Sequence, residues 1–373
     1  GSEMCIRGRY MRLGITYCGR DRKGLWSGTW DAFDKYFGEH DSIESIEWVS
    51  VFPNISRWYQ KLLTLYSRCF YFKDGNPFEL QMYPLFKRKT LKEVKLMGAE
   101  WIIAKTITDE FPHDKKFCTY VDADFEEVMK TDINRTKLLF NFYLNYYHQK
   151  AGIAYRRQNL IFTQNEWTRQ SLMRKFGLEP EKIINVGFGI NLKTYEGEKL
   201  YDNDLLLIVL RQYNAKVKGL DLLVDALSIV RKQCPNVRLA VVGNEQYKGV
   251  DGVDCYVDAP REKTIELFRK ATLYVMPSRN EPNGMTYLEA LCYKTPFVAL
   301  NRFATPEFSG NGKWSFLCEK ENAHQLADII IDAMSDKARL KVMGELGQQY
   351  VKDTFRWEKV VDKMCSAMKN YKR

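Results

Sequence analysis

The sequence has no run of about 18 apolar residues, so no segment is predicted to cross a membrane as a helix. No secretory signal peptide is recognisable after Met4, which predicts a cytoplasmic protein. A chain of 373 residues with 45% hydrophobic content is nevertheless long enough to bury two separate cores. We therefore expect a globular protein of two domains.

Clustered metal ligands are also missing. The nine cysteines form no Cys-x-x-Cys pair, and an odd, dispersed set favours reduced thiols over disulfides or a zinc site. The four histidines are equally scattered, so we expect neither a metal nor another cofactor. The cysteines are Cys5, Cys18, Cys69, Cys118, Cys234, Cys255, Cys292, Cys318 and Cys365.

A net charge of +10 suggests a polyanionic partner without naming it. Basic residues concentrate between Arg57 and Lys92, where they alternate with aromatic and aliphatic ones. This mixture suits peripheral contact with an anionic membrane, on its inner face. It suits equally a helix with an aromatic core face and a solvated basic face. No nucleic-acid-binding motif accompanies it, and we expect no nucleic acid partner.

Strand and helix patterns alternate along both halves of the chain. Met11–Tyr17 is a predicted buried strand, followed by a loop that ends at Gly28 and an amphipathic helix. The same alternation restarts after the turn at 187–191. It predicts two parallel sheets, each covered by helices on both faces. The predicted domains are 11–190, with a final helix at 356–373 returning to it, and 191–355.

The segment Ser278–Leu291 is the most informative of the sequence. Two carboxylates, Glu281 and Glu289, stand eight positions apart on either side of a Pro-Asn-Gly loop that opens a helix. Backbone N–H groups at the start of a helix form a natural anion site. A carboxylate beside that site would repel the anion unless it binds another part of the same ligand, such as sugar hydroxyls.

This segment resembles the E-x7-E motif of retaining glycosyltransferases of the GT-B fold, the family usually numbered four. The resemblance implies two doubly wound Rossmann-like domains facing across a cleft. It implies that Glu281 lies by the donor sugar, that Glu289 binds the nucleotide ribose, and that the amides between them hold the diphosphate. The loop residues concerned are Asn283, Gly284, Met285 and Thr286.

Further donor-side residues follow from the same resemblance. Arg211 and Lys218 match the family's Arg and Lys-Gly elements, and such cations after a strand suit a diphosphate. Lys216 competes with Lys218 for that role. Gly243 matches a glycine at a strand end, and Tyr256 and Val257 occupy the place of the base-recognition loop, in the stretch Asp254 to Pro260.

On the acceptor side, Asp122 matches an aspartate of one branch of the family and is expected to take part in catalysis. Asp124 stands where that branch has Thr, and Asn165 follows a strand in a segment that matches the branch closely. Gly28 completes the acceptor-side set. The resemblance is faint from Ser42 to Trp101, where acceptor recognition is expected.

The sequence therefore predicts a metal-independent, retaining glycosyltransferase of polysaccharide biosynthesis. Its substrates are a nucleotide-diphosphate sugar, of UDP or GDP type, and a glycan or lipid-linked acceptor. Two alternatives stay open. A sugar-nucleotide epimerase or a phosphorylase could use the same fold, and a basic scaffold that binds nucleic acid or membrane would explain the charge. The oligomeric state is not predicted.

Overall fold

The computed structural model of the chain describes residues 10–19, 22–23, 28–53, 55–70, 83–104, 109–131, 140–210 and 215–372. These residues divide into two compact units. The first runs to Gly189 and takes up the chain again at Trp357, and the second is Ile190–Arg356. The boundary predicted from the sequence lies between residues 190 and 191.

The first unit is built on a parallel sheet of six strands in the order β2-β1-β3-β4-β5-β6. Its strands are β1 Met11–Tyr17, β2 Ile43–Ser50, β3 Trp101–Ile103, β4 Lys116–Val121, β5 Leu160–Thr163 and β6 Ile183–Asn185. Its helices are α1 Thr29–Gly38, α2 Arg57–Phe70, α3 Tyr83–Leu96, α4 Phe125–Lys130, α5 Phe140–Arg157, α6 Glu166–Phe176 and α13 Trp357–Asn370.

The second unit repeats this plan with the strand order β12-β11-β10-β7-β8-β9, again all parallel. Its strands are β7 Leu205–Val209, β8 Arg238–Val242, β9 Val253–Tyr256, β10 Leu273–Val275, β11 Phe297–Leu300 and β12 Phe316–Cys318. Its helices are α7 Leu220–Gln233, α8 Arg261–Lys270, α9 Met285–Cys292, α10 Thr305–Phe308, α11 Ala323–Ser335 and α12 Lys337–Thr354. The predicted fold class, two doubly wound α/β domains, is confirmed.

Two strands differ from the sequence-based description. The polar edge strand β2 was not predicted, because its half-exposed residues lack the apolar run that marks a central parallel strand. The stretch Asp254 to Pro260 was predicted as a loop, but its first residues belong to the edge strand β9. Edge strands tolerate polar residues since one side of the strand remains unpaired.

The C-terminal helix α13 packs on the first unit although it follows the second along the chain. Trp357 is only 4% exposed and meets Phe33 of α1 edge to face, with ring centroids 5.7 Å apart. At the other end of the helix, Asn159 donates a 2.9 Å hydrogen bond to the hydroxyl of Tyr371. This helix therefore completes the core of the first unit.

None of the helices in the described ranges is long and apolar enough to cross a bilayer.

Replacing Trp357 with Ala should destabilise the first unit by about 3–5 kcal/mol, because the change leaves a cavity beside Phe33. Thermal or urea unfolding measures this loss. Trp58→Ala is the matched control, since Trp58 is 69% exposed and its removal should change stability by no more than about 0.5 kcal/mol. Equal losses for both variants would contradict the packing described here.

Candidate functional site

The loops after β7 and β10 meet at the topological switch point of the second sheet. The chain leaves β7 toward β8 on one side and returns as β10 on the other side of β7. In open parallel sheets, ligands bind beyond the carboxyl ends of the strands at such a point. Lys218 follows β7 and Glu281 follows β10. The fold thus brings together the two elements that the sequence predicted for a diphosphate sugar.

The loop after β10 is held firmly against the strand that precedes it. The hydroxyl of Tyr287, in the first turn of α9, donates a 2.7 Å hydrogen bond to the carbonyl of Met276. Burial raises the pKa of Tyr287 well above its ordinary value, which favours the protonated phenol that donates this bond. Ser278 bridges the loop further by donating to the carbonyl of Asn280 at 3.0 Å.

The carboxylate of Glu281 lies between a cation and a helix N-terminus. Its Oε1 accepts the backbone N–H of Gly284 at 2.9 Å, and its Oε2 forms an ion pair with the ammonium of Lys218. Both side chains are mostly buried, at 14% and 20% exposure. Gly284 directly precedes α9. The site therefore combines a fixed carboxylate, a cation and the first turn of a helix.

Gly219 explains why Lys218 stays beside this loop. Its φ of 76° is in the left-handed region, and a Cβ on it would lie 2.2 Å from the carbonyl oxygen of Pro277. Only glycine permits that approach. Lys218 also donates to the carbonyl of Asn280 at 3.4 Å, whereas Lys216 is exposed. Of the two competing lysines, Lys218 is the one in contact with Glu281.

The remaining predicted donor-side residues of this segment lie on the same loop and helix. Glu289, Asn283, Met285 and Thr286 are all partly buried on or before α9. The hydroxyl of Thr286 lies 3.8 Å from the sulfur of Met276. Arg211 falls outside the described residues.

Gly243 and Tyr256 join the ends of three neighbouring strands. Gly243 has a φ of 84°, and a Cβ on it would lie 2.1 Å from the carbonyl oxygen of Leu210. Its N–H donates to the carbonyl of Tyr256 at 2.8 Å. Tyr256 and Val257 are partly buried at the end of β9, and the ammonium of Lys263 lies 5.5 Å from the centre of the Tyr256 ring. This edge of the sheet, two strands beyond β7, carries the aromatic ring of Tyr256.

In the first unit, Asp122 directly follows β4 and is partly buried. Its carbonyl accepts hydrogen bonds from Asn165 and from the hydroxyl of Thr168, at 3.5 and 3.4 Å. These bonds fix the backbone at the strand end.

Gly28, the other predicted acceptor-side residue of this unit, precedes α1 with a φ of 79°.

Asp124, predicted on the acceptor side, has a structural environment. It is 1% exposed and caps α4 by accepting from the N–H groups of Glu126 and Glu127. Its other oxygen lies 2.6 Å from both the hydroxyl of Ser171 and the ammonium of Lys175. These four contacts satisfy the carboxylate as a buried cap and ion-pair partner, and its acceptor-side role stays a prediction.

Asn165 likewise has a structural use, and its acceptor-side role stays a prediction. It is fully buried and caps α6, where its side-chain oxygen accepts the N–H of Thr168 at 2.8 Å. Asp and Asn after a strand are both good ligands and good helix caps. The sequence alone does not distinguish these two uses.

One residue of the site was missed. Arg279 lies two positions before Glu281, and its side chain reaches Asp221 on α7 and Glu321 after β12. Its place inside the most informative segment was a signal, but both acidic partners are more than 40 residues away along the chain.

Across the described ranges no three His, Cys, Asp or Glu side chains converge as a metal site would require.

Residues 193–350 match the family model described as "Glycosyl transferases group 1". The chain is 24% identical to "Spore coat protein SA" of Bacillus subtilis (strain 168) over 247 residues, which are 55% of this chain and 63% of that protein. It is 25% identical over 170 residues to a "GDP-mannose-dependent alpha-(1-6)-phosphatidylinositol monomannoside mannosyltransferase" of Mycobacterium tuberculosis (strain CDC 1551 / Oshkosh), 41% of this chain and 44% of that one. The chain thus spans only about half the length of the curated relatives it matches.

Among solved structures, the Anabaena protein Alr3699/HepE in complex with UDP and glucose superposes with a TM-score of 0.63 at 15% identity. The match covers 97% of this chain and 100% of that one. At this identity the likeness concerns the fold.

Lys175→Met should cost about 3–5 kcal/mol of stability, because it leaves the buried carboxylate of Asp124 without its cation. Unfolding in urea measures the loss. Lys337→Met is the control, since Lys337 and its partner Asp204 are both about 40% exposed and the pair contributes roughly 0–1 kcal/mol. Unchanged stability of the Lys175 variant would contradict this structural use of Asp124.

Proposed function

We propose that this chain, a GT-B protein of the glycosyl transferases group 1 type, moves a sugar from a nucleotide-diphosphate sugar to a glycan or lipid-linked acceptor. The observation that carries the proposal is the meeting of Lys218, Glu281 and the start of α9 at the switch point of the second sheet. The resemblance in fold to a protein that binds UDP and glucose supports the donor class.

The leaving group of such a reaction is a nucleoside diphosphate, whose charge grows as the sugar departs. Positive charge placed in advance stabilises that transition state without reorganisation. Lys218, the first-turn N–H groups at Met285 and Thr286, and the sequence-matched Arg211 supply it. A lysine ammonium has three N–H donors, so Lys218 can bind both Glu281 and a phosphate oxygen. We propose on this basis that transfer needs no metal ion.

Retention of the sugar's configuration is proposed to proceed by attack on the same face, through an oxocarbenium-like transition state. The alternative is a double displacement with a carboxylate nucleophile. Glu281 is poorly suited to that role because its two oxygens are bound by a cation and a backbone amide. These bonds suit orientation of sugar hydroxyls, and we assign Glu289 to the ribose from the match of its sequence motif. Asp122 is retained as the acceptor-side group, and Gly243, Tyr256 and Val257 as the base edge.

Charge separates the two units and favours the first as the acceptor side. Residues of the first unit include 34 Lys and Arg against 25 Asp and Glu, whereas the second unit has 23 against 22. Nearly all of the net charge of +10 therefore lies on one unit. A nucleotide-sugar site does not require this excess of positive charge. Binding to an anionic surface or to a phosphate-bearing acceptor does require it.

Helix α2 shows an apolar stripe within this basic unit. Trp58, Leu62 and Leu65 are spaced by one helical turn and are 69%, 42% and 59% exposed. The basic residues Arg57 and Lys61 are exposed beside them. Exposed Trp and Leu with flanking cations are typical of helices that lie in a membrane interface. We propose peripheral binding to anionic lipid and a lipid-linked acceptor, in line with the lipid substrate in the name of the mycobacterial relative.

Glu281→Gln should reduce the rate of sugar transfer by about 100-fold or more, because a neutral amide accepts sugar hydroxyls and Lys218 less well. Stabilisation of the protein by the nucleoside diphosphate should persist, since Glu281 is assigned to the sugar. Lys218→Met should lose both sugar transfer and stabilisation by the nucleoside diphosphate. Glu266→Gln, an exposed glutamate of α8, is the control.

Rates of transfer and melting temperatures with UDP, GDP, ADP and their sugars provide the two measurements. Wild-type rates in the Glu281 variant would refute the assignment. Selective stabilisation without transfer would favour the epimerase or phosphorylase alternative, for which the products differ. Salt-sensitive oligonucleotide binding without nucleotide stabilisation would favour the scaffold.

A Leu62→Ala and Leu65→Ala double variant should bind vesicles of phosphatidylserine and phosphatidylcholine about tenfold more weakly, because it removes apolar area from the interface. Sedimentation with these vesicles, and with phosphatidylcholine alone, measures the effect. Val342→Ala with Leu346→Ala is the matched control, a pair 58% and 51% exposed on α12 of the second unit. Equal binding by both double variants would contradict α2 as the membrane surface.

A further inference from the structure

Arg279 connects the two loops that supply the donor site. Its guanidinium, 14% exposed, lies 2.7 Å from the carboxylate of Asp221 and 2.5 Å from that of Glu321, and it donates to the carbonyl of Lys216. Its backbone N–H donates to the carbonyl of Val217 at 2.8 Å. Main chain and side chain of one residue therefore bind the segment that leads directly into Lys218.

These contacts lie next to the reacting groups without including them. Arg279 is two residues before Glu281, and its carbonyl acceptors are the two residues before Lys218. A displacement of Arg279 would therefore change the separation of Lys218 and Glu281. Such a change matters, because an error of about 1 Å in the placement of catalytic groups can cost a factor of about 100 in rate.

The same network extends to the other strand ends of the sheet. Glu321 follows β12, and its second oxygen lies 3.3 Å from the guanidinium of Arg302, which follows β11. One chain of ion pairs thus joins the first turn of α7 to the loops after β10, β11 and β12. Ion pairs therefore connect the loops that form the site.

The chemistry of the position favours arginine. Two carboxylates and a carbonyl approach the guanidinium from different directions, and its planar fork of five N–H donors can satisfy them together. A lysine ammonium is a point charge on a flexible stem and could bind one carboxylate well but not all three acceptors. The conservative change to Lys is therefore expected to preserve the charge and lose the geometry.

We propose that Arg279 is a positioning residue for sugar transfer: it fixes the separation of Lys218 and Glu281 and contacts neither the sugar nor the diphosphate itself. This inference rests on the proposed function. It adds a residue that acts through the two donor-site groups and not on the substrate.

The test compares Arg279→Met and Arg279→Lys with Arg231→Met. Arg231 is the matched control: it lies in the last turn of α7, is 21% exposed, and binds the carbonyl of Val237 and the carboxylate of Asp251 at 2.6 and 2.8 Å. Each variant is assayed for kcat and KM with the donor, for its melting temperature, and for the rise in that temperature with nucleoside diphosphate.

Arg279→Met should lower kcat by about tenfold or more and reduce the nucleotide-dependent rise, and Arg279→Lys should recover only part of either. Arg231→Met should leave both unchanged. A folded Arg279→Met protein with wild-type kcat and a wild-type nucleotide response would overturn the proposal. So would a lower melting temperature as the only change, since that is the signature of a purely structural ion pair.

Should Arg279→Met fail to fold, Asp221→Asn and Glu321→Gln each remove one arm of the network and keep the arginine. Both should lower kcat in the same direction, and unchanged kcat in both would refute the positioning role. The proposed function fails separately: wild-type protein would then show neither transfer nor nucleotide stabilisation, and the role of Arg279 would fall with it. Wild-type activity with insensitive Arg279 variants would refute the positioning role alone.

Discussion

The approach of Gly219 to Pro277 is the constraint on which the proposed donor site depends. A parallel sheet separates neighbouring strands by about 4.8 Å, but the loops that follow them are free to diverge. Here the left-handed backbone of Gly219 and its missing side chain let the start of α7 lie against the carbonyl of Pro277. Because Lys218 is the preceding residue, its ammonium is delivered to Glu281. A side chain at position 219 would push these loops apart.

The features that were predictable from the sequence depend on local patterns. Residue type and spacing indicate the chemistry of Glu281, Gly284 and Lys218, and the structure brings these three residues together. The central strands were predictable for a similar reason, since burial on both faces demands a continuous apolar run. The edge strand β2 is not buried on both faces. Its half-exposed residues therefore form no continuous apolar run from which a strand could be predicted.

Residues whose role depends on distant partners were not predictable. Asp124 looks like a ligand because it follows a strand. Only its contacts with Ser171 and Lys175 on α6 show that its carboxylate is paired within the protein. Arg279 is the converse case. It looks like an ordinary loop cation until Asp221 and Glu321 are seen beside it. Both cases have one cause: pairing over long sequence separations decides whether a charged side chain remains available to a substrate.

The arrangement of charge gives the proposed mechanism its internal consistency. A diphosphate needs cations, whereas sugar hydroxyls need acceptors, and a site that binds both must keep its own carboxylates from repelling the phosphate. The ion pair of Glu281 with Lys218 meets both needs, because the carboxylate is neutralised locally while the ammonium retains one further donor. The second unit is almost neutral in total, with 23 basic and 22 acidic residues, so its attraction for the donor must come from this local placement. The basic excess of the first unit is then left for the acceptor, whose identity the donor site does not determine.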